Sequence, residues 1–101
     1  MTYFIGDSER GKGIYKSENA FDAAGAGIGS TFLYLSPLTP ENTLETESGG
    51  SQWYYINSKL GGSPMKYYVL ASDLSEAITN FAKAFPSAEI NQVSFFSDNL
   101  G

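Results

Sequence analysis

The 101-residue chain contains no cysteine and no histidine. Without cysteine there is no disulfide framework, thiolate nucleophile, zinc-thiolate site or iron-sulfur cluster. Without histidine the usual general base near neutral pH and the commonest metal ligand are missing. Catalysis would have to run on carboxylates, lysines, tyrosines and serines, through paired acids or a perturbed lysine. No such arrangement stands out along the chain, so the expectation is no cofactor, no metal and a role other than enzymatic. Charge is also scarce, at 17% of residues, and eleven acidic against six basic side chains leave a net charge of −5. That balance opposes binding to phosphate backbones and argues against nucleic acid as a partner. Long apolar runs are absent: nothing approaches the roughly 20 residues of a membrane-spanning helix, and residues 1–5 lack the basic start and apolar core of a secretion signal. A soluble, cytoplasmic protein without membrane contact is expected.

What is present is apolar and aromatic material, 42% hydrophobic and 15% Phe, Trp and Tyr. The length and composition fit one folded domain, a single small α+β domain over residues 1–101. Its most informative feature is four aromatic doublets in strand-like surroundings: Tyr3-Phe4, Tyr54-Tyr55, Tyr67-Tyr68 and Phe95-Phe96. Neighbouring side chains on a strand point to opposite faces, so each doublet puts a ring on both sides of a sheet. Both faces then need cover, yet only one segment reads as a strong amphipathic helix. The second face is left to weaker elements, a partner or a ligand.

That helix is predicted over residues 74–85. Leu74, Ala77, Ile78, Phe81, Ala82 and Phe85 form one stripe at i, i+3, i+4, i+7, i+8 and i+11. Asp73 stands at the N-cap with Glu76 three residues on, the spacing of a capping box. Pro86 disfavours helical geometry at Phe85 and ends the run. Residues 66–71 before the helix and 88–97 after it read as strands, the latter with a change of phase between Ile90 and Val93 that suggests a bulge at Asn91-Gln92. Residues 52–57 form a further strand, joined to residues 66–71 by a long loop containing Gly61-Gly62 and Pro64. The expectation is a mainly antiparallel sheet of about 4–6 strands with a C-terminal ββαβ unit, ferredoxin-like or related.

The N-terminal half carries weaker signals. Residues 2–5 and 14–16 suggest short strands around a glycine-rich loop, and residues 30–36 a central strand. Ser17 is placed to cap a short helix over residues 18–24. Residues 36–51, with Pro37, Pro40, Glu41, Glu45, Glu47 and Gly49-Gly50, read as an acidic surface connection with one helical turn after Thr39-Pro40. Two glycine motifs stand out. Residues 6–13, Gly-Asp-Ser-Glu-Arg-Gly-Lys-Gly, match a phosphate-binding loop up to the last position, where Gly13 replaces the metal-binding hydroxyl and strand follows instead of helix. Gly25-Ala-Gly27-Ile-Gly29 resembles a dinucleotide fingerprint with the wrong spacing and element order. Both read as structural glycines.

The candidate site is the aromatic set on residues 52–57 and 66–71: Trp53, Tyr54, Tyr55, Tyr67 and Tyr68. Such rings either pair across strands within a sheet or anchor an interface. The carboxylates offer nothing comparable, since Asp73 and Glu76 serve the helix cap and no calcium-loop pattern occurs. The stretch Tyr68-Val-Leu-Ala-Ser-Asp-Leu-Ser-Glu-Ala-Ile, continued by Phe85-Pro-Ser-Ala-Glu-Ile, resembles the strand-helix-strand ending of many small α+β domains, including ferredoxin-like ones and accessory proteins of bacterial viruses. In style the whole chain is similar to small phage or marine microbial proteins. The functional expectation is a non-enzymatic protein-association module, homodimeric through a sheet face or edge strand, with a heterologous protein as a further possible partner. The alternative is a small-molecule binder or minor enzyme with a pocket between the sheet and the glycine-rich segment.

Overall fold

A computed structural model describes residues 2–8, 11–18, 34–39, 41–45 and 50–100. The elements are strands β1 (Thr2–Ser8), β2 (Gly11–Ser17), β3 (Tyr34–Pro37), β4 (Thr43–Glu45), β5 (Gln52–Leu60) and β6 (Ser63–Ala71), helix α1 (Leu74–Ala84) and strand β7 (Glu89–Leu100). They fall into two compact units, residues 1–39 with 97–101 and residues 40–96.

In the first unit the strand order is β3-β1-β2-β7. Antiparallel β1 and β2 pair Phe4 with Tyr15 and Ile5 with Ile14, and Phe4, Ile14 and Tyr15 are buried. The last residues of β7 join in parallel, Ile14 opposite Asn99 and Tyr15 opposite Leu100. The backbone N–H of Ile14 donates to the hydroxyl of Ser97 at 3.0 Å, which accounts for that serine's burial. The described part of the phosphate-loop lookalike, residues 6–8 and 11–13, lies here as extended backbone: Gly6 on β1 stands directly opposite Gly13 on β2. It offers no helix N-terminus to an anion.

In the second unit the order is β7-β5-β6-β4, so the strands before and after the helix flank β5. The β5–β6 hairpin runs from Gln52 opposite Ala71 to Leu60 opposite Ser63. Its turn is Gly61-Gly62, with φ of +59° and +84°. Two consecutive positive φ angles define the hairpin turn that matches the twist of the strands, and glycine reaches them without strain. Three-residue β4 adds to β6 in parallel, Leu44 opposite Val69.

The helix starts as its capping residues demand. The Glu76 N–H donates to Asp73 Oδ1 at 2.7 Å, while the Glu76 carboxylate accepts from the N–H of Ser72 at 2.9 Å. At the far end Phe85 is the C-cap, its N–H donating to the Phe81 carbonyl at 2.9 Å, and Pro86 follows. Ala77 and Phe81 are fully buried against Tyr54, Ile56, Val69 and Ala71, with Tyr67, Phe85, Ile90 and Val93 packed around them. Ile90 and Val93 reach one core from positions of opposite parity, the phase change read in the sequence.

Several expectations are corrected. The described residues are mostly sheet, in seven strands with mixed pairing, instead of a mainly antiparallel 4–6-stranded ferredoxin-like ββαβ fold. The acidic connection supplies a strand, β4, where a helical turn was expected after Thr39. The loop between β5 and β6 shrinks to two glycines because Ser58, Lys59, Ser63 and Pro64 continue the ladder. The helical stripe is only partly inward, since Leu74 and Ile78 are 44% and 37% exposed. The helix expected over residues 18–24, beyond its first residue, and the glycine run 25–29 lie outside the described residues.

Candidate functional site

Strand parity sorts the second unit's sheet into two faces. Tyr54, Ile56, Met65, Tyr67, Val69 and Ala71 face the helix. Trp53, Tyr55, Lys66, Tyr68 and Leu70 alternate with them and face the other way. Three doublets follow the rule ring by ring. Tyr67 meets Phe81 and Phe85 on the helix side, at centroid distances of 5.7 and 4.9 Å, and Tyr54 meets Phe95 at 5.9 Å. On the opposite side Tyr68 meets Tyr55 at 5.5 Å and Phe96 at 5.2 Å.

The five singled-out residues therefore divide. Trp53 is fully buried and Tyr54 is 6% exposed, its hydroxyl donating to Gln52 Oε1 at 2.6 Å; both rings serve the interior. Tyr67 is half-buried against the helix. Tyr55 and Tyr68 remain as a directly opposed, half-buried cross-strand pair on the helix-free face.

Together with Phe96 these two tyrosines line an open recess of about 440 Å³, completed by Asn42, Lys66 and Ser94. Each neighbour arrives through a specific piece of topology. Asn42 is brought in at the start of β4, where its carbonyl accepts from the Tyr68 N–H at 2.9 Å. Ser94 and Phe96 come from β7, beside β5 in the strand order. The rings are inclined to one another, Tyr55 at 52° and Phe96 at 71° to Tyr68, so the recess has angular walls presenting both ring faces and ring edges.

No family model, curated protein or solved structure matches the chain. The recess is consequently read from its chemistry alone. Burial raises the Tyr68 hydroxyl above its ordinary pKa, with the neighbouring Tyr55 hydroxyl acting in the same direction. A tyrosine at its ordinary value already keeps its proton at neutral pH, and here burial moves Tyr68 further from ionisation, so its hydroxyl is a donor. Among the described residues no three His, Cys, Asp or Glu side chains converge as a metal site, and no helix is long and apolar enough to cross a membrane. A second, smaller concavity of about 290 Å³ lies among Leu44, Glu45, Asn80, Lys83 and Ala84, where charges of both signs face a helix end and a strand edge.

The sequence carried signals for Tyr55, Tyr68 and Phe96 through their doublets. Asn42, Lys66 and Ser94 carried none, being ordinary polar residues whose convergence depends on non-local pairing.

Proposed function

We propose that this chain is a non-enzymatic recognition module and that the aromatic recess is where it meets its ligand. One observation carries the reading: Tyr55, Tyr68 and Phe96 are only half-buried, in a recess with three polar side chains, on the face that α1 leaves uncovered. Concave sites of roughly 300–1,000 Å³ with apolar walls and a few convergent polar groups are the usual form of a small-molecule site. The test is an NMR screen of aromatic fragments against the isotope-labelled chain. Hits should shift the backbone amides of Tyr55, Lys66, Tyr68, Ser94 and Phe96 as one cluster; shifts scattered over the surface would refute the recess as the site.

Self-association is the second reading, favoured by a different observation. Leu74 and Ile78, one helical turn apart, are 44% and 37% exposed, and Phe95 is 54% exposed. These are anchors of the kind a second copy would cover. Light scattering at micromolar concentration decides: a dimer broken by Leu74→Ser with Ile78→Ser supports this reading, and a strict monomer removes it.

A further inference from the structure

Among the described residues, every side chain lining the recess is aromatic, neutral or positive, and Lys66 is the single ion. The chain as a whole has eleven acidic residues against six basic ones, so this local balance is the reverse of the average. Three rings alone would also attract a cation through their faces. Lys66 repels such a ligand, and no carboxylate among the described lining residues balances it. A neutral ring would gain contact with the walls and only a weak cation–π attraction from an exposed ammonium. An anion attached to a ring uses both.

We propose that the recess binds a small aromatic carboxylate, its ring set among Tyr55, Tyr68 and Phe96 and its carboxylate on the Lys66 ammonium. This proposal rests on the reading of the recess as the recognition surface. The inclined walls suit a planar ring, which then meets one neighbour edge to face and another by offset stacking. A volume of about 440 Å³ holds a one- or two-ring ligand. Lysine supplies a flexible point charge at the end of an apolar stem, able to follow a carboxylate while its methylenes border the recess. The protonated Tyr68 hydroxyl adds a donor instead of a competing negative charge.

The experiment is an NMR titration of the full chain with naphthalene-2-carboxylate, the isosteric naphthalene-2-carboxamide and a naphthyl-trimethylammonium cation. The carboxylate should bind about tenfold more tightly than the carboxamide, the scale of one charge-assisted hydrogen bond at a partly solvated site, and added salt should narrow the gap. Lys66 is exposed, so Lys66→Gln should leave the melting temperature unchanged. That variant should bring the carboxylate down to the carboxamide's affinity while changing the carboxamide's own affinity much less. Equal binding of the two, a preference that survives Lys66→Gln, or tightest binding of the cation would overturn the ligand class while leaving the recess as a site. If no probe moves the amides around Tyr68 and Phe96, the recess reading itself falls. Amide shifts there that follow protein concentration without any probe would mark a second copy as the occupant and overturn the proposal.

Discussion

Replacing Phe81 with alanine removes a fully buried ring that lies 5.7 Å from Tyr67 and 5.2 Å from Phe85, centroid to centroid. Truncating a buried phenylalanine costs about 3–5 kcal/mol, more where the surroundings cannot collapse into the space. Here collapse is hindered, because Tyr67 is fixed in a paired strand and Phe85 is held at the helix terminus before Pro86. Two ring contacts are lost as well, so a value in the upper half, about 4–5 kcal/mol, is expected. Ile78 lies on the same sequence stripe yet is 37% exposed. Its truncation should cost far less, about 1 kcal/mol, since more than a third of the residue already meets solvent and alanine is the better helix former. Trp53 is the chain's only tryptophan and is fully buried in the same unit, so its fluorescence during urea unfolding reports the effect. Equal costs for the two variants, at unchanged slope, would refute the docking of the helix by its Ala77–Phe81 side. Should Phe81→Ala fail to fold, Phe81→Leu against Ile78→Ala gives the same ordering on a smaller scale.

Gly50→Ala would place a Cβ 2.5 Å from the carbonyl carbon and 2.6 Å from the Cα of Ala71. Backbone atoms of a paired strand cannot step aside, so a loss of at least about 1–3 kcal/mol is expected in the same fluorescence assay; an unchanged midpoint would show that residue 50 is not seated on Ala71. Burial raises the pKa of the Tyr54 hydroxyl, and the charge of Asp73 adds to the shift. The unfolded chain releases this proton first, near its ordinary value of about 10, so stability is full below that pH and declines as pH climbs towards the folded-state value. Tyr54→Phe should flatten that alkaline decline in a pH series of urea midpoints, while losing about 1 kcal/mol at neutral pH with the hydrogen bond to Gln52; an identical alkaline slope in the variant would assign the decline to other groups.

The helix was legible because two independent signals coincide at one place, the apolar series through Phe81 and the Asp73–Glu76 cap. The doublets were legible because alternation is a property of extended backbone and needs no neighbour. What was hidden is non-local. β4 has three residues inside an acidic, proline-containing stretch, and it exists as a strand through its backbone bonds to β6 and the packing of Leu44, neither written in local composition. Gly6 and Gly13 suggested a loop, yet they complete a ladder whose flanking pairs, Ile5–Ile14 and Asp7–Lys12, are in register on both sides. The recess shows both cases at once. Its rings follow from alternation, whereas Lys66 stands where it does because Asn57 is its partner across the hairpin.

Strand β7 gives its residues up to Phe96 to one unit and those from Ser97 onward to the other. The bond from Ile14 to Ser97 spans 83 positions of sequence. During translation, the hairpin made first therefore waits almost the whole length of the chain for the segment that completes its sheet, and closing so distant a contact is slow. Damage to the residues from Ser97 onward would therefore be felt at Ile14 and Tyr15, far away in sequence.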